Sequence, residues 1–263
     1  MSGDTVSGDT VSGEEAVITE QRGRVLIITL NRPEARNAIN GALSHGLWDA
    51  VQRLNTDPGL TAGVLTGHES GFSSGMDLKA FLAGEDIGPM MDFIKAGAEK
   101  PLIAAIEGFA IAGGLELALS CDLLIASAGA KLGIREVKVG LFAAGGGVMR
   151  LPSRVGYAKA MEMAITGDHI LAEEAMELGM LTEVTEPGKA VEAAIALAER
   201  VAQNAPLAVA ASKQLVKAAG QGYDEESLWK MQAGLQGKVF TSNDAKEGPK
   251  AFAEKRAPEW TGT

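Results

Sequence analysis

Core-forming apolar patterning begins at Ala16. Before it, residues 2–13 read SGDTV-SGDTV-SG, a short tandem repeat whose largest apolar side chains are Val6 and Val11. That is too little to pack a core, so residues 1–14 are expected to be a disordered tail. Residues 16–19 and 25–30 then run apolar as two strands of a hairpin, with Arg22-Gly23-Arg24 as the turn and Asn31-Arg32-Pro33 ending the second strand. Within residues 39–54, Leu43, Leu47, Trp48, Val51 and Leu54 recur at helical spacing. Short apolar runs at 62–65, 101–106 and 123–126 predict further strands. A loop at 67–75, a small-residue turn at 108–114 and a helix from Leu115 lie between them. Strands alternating with helices across short turns mark right-handed βαβ units. From Tyr157 the pattern turns helical, over 157–165, 172–178, 190–203, 207–219, 225–239 and 245–252. An α/β core over 15–200 and a helical C-terminal subdomain over 201–263, with no long linker, are the expected organisation.

A length of 263 residues, with 46% hydrophobic and 22% charged residues, is enough to bury a sizeable core. The net charge of −10 argues against a nucleic-acid partner, because phosphate backbones need a basic surface. It leaves room for a local basic patch that meets a small anionic ligand. A single cysteine, Cys121, permits no internal disulfide, reads as core packing and fits a reducing cytoplasm. The acidic, Gly/Ser-rich start has no apolar stretch of a secretory signal, and no run reaches the roughly 18 apolar residues of a membrane span. His45, His68 and His169 are far apart and match no metal-ligand spacing, so no metal is expected.

Three segments have compositions that the fold alone does not require. In the first, Phe72-Ser73-Ser74-Gly75-Met76-Asp77-Leu78-Lys79, Gly75 can adopt positive φ and leave the Met76 amide pointing outward at a helix start, where Asp77 is well placed. An ordinary loop-to-helix cap would look the same. In the second, Gly108-Phe109-Ala110-Ile111-Ala112-Gly113-Gly114-Leu115-Glu116, paired glycines open a helix with the Gly113 amide at its start and Glu116 in its first turn. The spacing is neither a dinucleotide fingerprint nor a Walker A loop. Glycine-mediated packing with Glu116 as a surface acid is the plainer reading. The third runs from Leu132 through Glu136 to Gly145-Gly146-Gly147, a triple glycine that can start a helix through Val148–Leu151; here Glu136 could simply pair with Arg135 or Lys138 in solvent. Taken together, two amides from separate glycine turns make an oxyanion hole and two carboxylates make an acid/base pair. That set suits chemistry alpha and beta to a carbonyl.

These segments, in this order, resemble those of the crotonase, or enoyl-CoA hydratase/isomerase, superfamily. So do Leu30-Asn31-Arg32-Pro33-Glu34-Ala35-Arg36-Asn37-Ala38 and the C-terminal run from Asp244 to Arg256. The resemblance covers nearly the whole chain after the tail. It implies a spiral of ββα units, a homotrimer or dimer of trimers built through the C-terminal helices, and acyl-CoA thioester substrates with no separate cofactor. It implies Glu116 and Glu136 as the catalytic acids and the amides of Met76 and Gly113 as the oxyanion hole. Substrate contacts are implied for Glu34, Ala35, Arg36, Ala38, Ser74, Asp77, Leu78, Lys79, Ala112 and Arg135. Lys255 matches a lysine that, in some members, reaches the CoA phosphates of a neighbouring subunit.

Members lacking one glutamate tend to be isomerases, so retention of both implies hydration of a 2-enoyl-CoA by a cytoplasmic lyase of fatty-acid β-oxidation. Some positions depart from the usual pattern. Met76 stands where a small residue is common and is expected to narrow the acyl pocket. Ala112 replaces a frequent glycine, and Phe142-Ala143-Ala144 lacks a frequent proline. Arg135 is expected to lower the pKa of Glu136. Residues 88–98, with Met90 and Met91, read as a mobile helix over the acyl pocket or as an ordinary amphipathic surface helix. The C-terminal run also resembles that of carnitinyl-CoA dehydratases. Isomerisation, dehydration of a polar acyl-CoA and non-catalytic acyl-CoA binding are therefore the alternatives.

Overall fold

A computed structural model describes residues 15–68 and 71–263, so the tail expected over 1–14 lies outside the described residues. Strand β1 (Val17–Arg22) turns through Gly23, at φ +57°, into β2 (Val25–Leu30), and helix α1 (Gly41–Thr56) leads to β3 (Ala62–Gly67). Helices α2 (Leu78–Ala83) and α3 (Gly88–Ala96) precede β4 (Leu102–Ile106), β5 (Phe109–Ile111) and α4 (Gly113–Ala118). Next come β6 (Leu123–Ser127), β7 (Lys131–Gly133), α5 (Gly147–Val155), α6 (Tyr157–Thr166), β8 (Ile170–Leu171), α7 (Ala172–Glu177) and β9 (Glu183–Thr185). The chain closes with α8 (Ala190–Ala202), α9 (Pro206–Gly220), α10 (Glu225–Phe240) and α11 (Asn243–Glu254).

One sheet has the order β1-β2-β3-β4-β6-β9, antiparallel at β1–β2 and parallel thereafter; β5, β7 and β8 form a second. Strands β4 and β6 run almost directly into β5 and β7, so these two turns of the chain each add a strand to both sheets. This is the expected ββα spiral. Both faces of the large sheet are buried, as parallel sheets require. Alternate residues therefore serve different layers. Val25, Ile27, Val64, Ile103 and Ile125 meet Ala190, Ala194, Ile195 and Ala198 of α8. Leu26, Ile28, Leu30, Leu65 and Leu102 belong to the larger core with Leu43, Leu47, Val51 and Leu54 of α1. Each fully buried Leu or Ile contributes roughly 1.5–3 kcal/mol.

The 108–114 turn contains β5, and β8 and β9 interrupt the helical last third. Strands of two or three residues are too short to show a period-two pattern, which is why the sequence reading passes over them. The C-terminal helices are tied on by polar contacts. Lys213 of α9 places Nζ 2.7 Å from Asp122 Oδ2 and donates to the carbonyls of Ala98 and Lys100. Buried Asp244 of α11 accepts from the amides of Thr261 and Gly262, and the Trp260 indole donates to Gln203 O at 2.7 Å. Among the described residues no helix is long and apolar enough to cross a membrane.

Candidate active site

The segment 73–77 is held on both sides. The Ser73 hydroxyl donates to Asn37 O at 2.8 Å, while Ser73 O accepts from Ile111 N at 3.0 Å. Ile39 N donates to Gly75 O at 2.8 Å and Asp77 N to Ile39 O at 2.9 Å. Behind this lies Asn37, fully buried and left-handed at φ +53°. Its side chain donates to Gly71 O and accepts from Arg32 N, both at 2.8 Å. With its neighbours paired this way, the Met76 N–H has no acceptor among the described residues, nor has the N–H of Gly113, the first residue of α4. The two lie together: a Cβ on Gly113 would sit 3.6 Å from Met76 N, and one on Gly75 only 3.0 Å from Gly113 N. Gly75, at φ +93°, is thus excluded from carrying a side chain both by conformation and by space. The Met76 side chain is half-buried and packs on the main core.

Glu116 follows Gly113 within the same turn and is 5% exposed. Its Oε1 accepts from Gly147 N at 2.9 Å. The glycine loop closes around the carboxyl, where a Cβ on Gly145 would fall 2.6 Å from Oε2 and one on Gly147 3.1 Å from Oε1. Burial pushes the Glu116 carboxyl up to about 7. The Gly147 amide opposes that rise, the charge of Glu136 adds to it, and Gly145 N–H and Arg150 oppose it more weakly. The charge of Glu136 thus favours the protonated form of the buried Glu116.

Glu136 begins a 3-10 turn, Glu136–Val139, that follows β7 and Ile134. It is half-buried, and its Oε2 is buried without a hydrogen-bond partner. Such an atom is costly unless a ligand or water completes it. Burial raises its pKa, against the backbone amides of 136 and 135. The expected lowering by Arg135 is therefore corrected. Arg135 is exposed and forms no ion pair with Glu136, and the local effect of residue 135 is confined to its backbone N–H. Lys138 is likewise engaged elsewhere, 2.7 Å from Asp168. Solvent pairing of Glu136 with Arg135 or Lys138 is excluded.

Asp77 caps α2 by accepting from Lys79 N and Ala80 N, and it meets Arg32 at 3.3 Å. Burial pushes its carboxyl up, but the Ala80 amide, the Arg32 guanidinium and the Lys79 amide together outweigh it and hold the group below the usual range. Ala38 is buried in the same wall, with its carbonyl accepting from Arg32 at 2.6 Å, and Ser74 N donates to Arg36 O at 3.1 Å. Ala35 is half-buried, whereas Glu34, Arg36, Leu78 and Lys79 are exposed around it. Ala112 takes φ +53°, ψ −129°, a conformation glycine adopts freely, and its N–H donates to Gly133 O at 2.8 Å. Lys255 is the left-handed cap of α11 and is exposed. α3 packs on α1 through Met90, Phe93 and Ile94, with Met90 N donating to Ser44 Oγ at 2.9 Å. Asn37, Ser73 and Arg150 escape the sequence reading. Much of their polar chemistry is spent on partners distant in sequence, such as Gly71 O for Asn37, Asn37 O for Ser73 and Ile94 O for Arg150, which no local pattern reveals.

The family model for enoyl-CoA hydratase/isomerase matches residues 20–263. The chain is 40% identical over 254 residues to the enoyl-CoA hydratase EchA19 of Mycobacterium tuberculosis, covering 92% of this chain and 95% of that protein. A carnitinyl-CoA dehydratase of Proteus mirabilis is 41% identical over 254 residues, covering 92% and 96%. Among solved structures, an enoyl-CoA hydratase from Mycobacterium tuberculosis H37Rv superposes with a TM-score of 0.91 at 51% identity, over 95% of this chain and all of that one. EchA1 from Mycobacterium marinum gives the same values. With a fold, a glycine-built amide pair and a family match that spans all but the first 19 residues, the chain belongs to the enoyl-CoA hydratase/isomerase family.

Proposed function

We propose that this protein is an enzyme acting on CoA thioesters and that its reaction is the hydration of a 2-enoyl-CoA. The observation that carries this reading is that the first turn of α4 holds both the buried Glu116, on which the charge of Glu136 acts, and the Gly113 amide that lies beside that of Met76. In the proposed reaction the thioester carbonyl accepts from both amides. Glu116 takes a proton from water as the oxygen adds to C3, and the electrons move to the thioester oxygen as an enolate. Glu136 then gives a proton to C2, and the pair returns to its starting state once the proton passes from Glu116 to Glu136. Each amide contributes about 10²–10³ in rate by meeting the enolate oxygen. A base with a pKa raised to about 7 and an acid raised by burial suit a reaction run near neutral pH.

An apolar acyl chain is favoured by the exposed Leu78, Phe81 and Leu82, just after Met76, and by Val139, Leu141 and Phe142, just after Glu136. CoA enters as part of the substrate, and no other cofactor is invoked. The exposed Val216, Trp229, Phe240 and Phe252 on α9–α11 favour a homotrimer or dimer of trimers, in which Lys255 would meet a neighbour's substrate. Cytoplasmic β-oxidation is the setting this reaction implies. A second reading, dehydration of a polar 3-hydroxyacyl-CoA, is favoured by the Proteus mirabilis relative. Loss of enone absorbance on mixing with crotonyl-CoA, compared with formation of that absorbance from carnitinyl-CoA, separates the two. Binding without turnover of either would refute both.

A further inference from the structure

We propose that Arg150 is a positioning residue that fixes the Glu116 carboxyl by joining the glycine loop, the end of α4 and the end of α3. Its half-buried guanidinium donates to three elements at once. One arm, Nη1, reaches Ser120 Oγ at 3.1 Å and Gly145 O at 3.4 Å. The other, Nη2, donates to Ile94 O. Each partner leads to Glu116 or to the wall beside it. The Ser120 hydroxyl donates to Glu116 O at 2.8 Å, which ties the guanidinium to the backbone of the acid itself. Gly145 and Gly147 clasp the carboxyl, so holding Gly145 O sets the loop that supplies the 2.9 Å amide contact. Ile94 lies in the last turn of α3, whose following carbonyls at Ala96 and Ala98 accept from Lys217 and Lys213 of α9.

The fixed fork of an arginine explains why this residue type serves here: one planar group satisfies three acceptors with different directions. The charged groups around the pair all bear on the outcome. Glu136 and Arg150 act on Glu116; Glu116 and Arg154 act on Arg150; and Arg150, Lys213 and Asp122 act on Lys217. Among them Arg150 is the cation that opposes the raised pKa of Glu116. The role needs no contact with the substrate. It rests on the acid/base reading of Glu116 given above.

Arg150→Met, Arg150→Lys and Ser120→Ala are compared with wild type in two measurements. The first is the pH profile of kcat and KM with crotonyl-CoA. The second is a carboxyl-carbon NMR titration of Glu116, assigned with Glu116→Gln. In Arg150→Met the acid limb and the Glu116 midpoint are expected to move to higher pH, because a cation that opposes the raised pKa of Glu116 is gone. The same variant is expected to lose about tenfold or more in kcat, with KM held within about twofold. Arg150→Lys keeps the midpoint because it keeps the charge. Ser120→Ala keeps the midpoint but loses kcat, and it carries the test if Arg150→Met does not fold. An unmoved midpoint in folded Arg150→Met, or wild-type kcat in Ser120→Ala, overturns the proposal. Wild type that fails to hydrate crotonyl-CoA refutes the functional reading instead, while the NMR titration still decides the place of Arg150.

Discussion

The Gly147 N–H donates to Glu116 Oε1 at 2.9 Å, and that contact exists because neither Gly145 nor Gly147 has a side chain. Gly145 does not have positive φ, so alanine fits its backbone and the substitution tests space alone. Its Cβ would fall 2.6 Å from Glu116 Oε2. Gly145→Ala is expected to displace the carboxyl and lower kcat by about 10²-fold, with a smaller change in KM. Steady-state kinetics with crotonyl-CoA check this, and an unchanged kcat would show that the loop yields without moving the acid.

Ala112 sits at φ +53°, where only glycine is unstrained. Such strain costs about 1–3 kcal/mol, and glycine gives back about 0.4–1 kcal/mol by loosening the unfolded chain. Ala112→Gly is therefore expected to stabilise the fold by about 1 kcal/mol in chemical denaturation. A bulkier Ala112→Val is expected to destabilise it, since a branched side chain tolerates that backbone worse.

Burying Glu116 makes its stability effect depend on pH. Its folded pKa, about 7, lies above the ordinary 4.5, so the folded state binds the proton more tightly than the unfolded state. Stability from this group is fully present below pH 4.5 and is lost as pH rises through about 7. Glu116→Gln removes that dependence. Its stability relative to wild type is expected to be flat below pH 4.5 and to rise to about 3 kcal/mol in its favour at pH 8, read by thermal or denaturant unfolding. A difference of the same size at pH 4 and pH 8 would contradict the raised pKa.

Asp77 joins two jobs, capping α2 and holding Arg32. Asp77→Ala is expected to cost about 1–2 kcal/mol of stability and to raise KM by loosening the segment that carries Met76. Asp77→Asn keeps the cap and loses the ion pair, so it is expected to recover most of the stability.

Long, periodic elements are the part of this fold that is readable from sequence. The apolar spacing of Leu43, Leu47, Val51 and Leu54 predicts α1, and all six C-terminal helical stretches appear within a few residues of their expected ends. The glycines that border the site were also legible, because adjacent glycines at a helix start have few structural uses. Strands β5, β7 and β8 were not, since two or three residues carry no period. The direction of the Glu136 pKa was misread from its sequence neighbour, because adjacency to Arg135 says nothing about where that side chain points. Burial, a property of the whole fold, decides it. Arg150 was invisible for the same reason: its partners Ile94, Ser120 and Gly145 meet only in three dimensions.

The central claim, that Glu116 and Glu136 jointly move the protons of hydration, is tested most directly by single-turnover hydration of crotonyl-CoA in Glu116→Gln and Glu136→Gln. Each variant is first shown to bind the thioester as wild type does. Loss of about 10²–10⁴ in rate in both variants, with binding retained, is the predicted result. Hydration at the wild-type rate in both variants would contradict it.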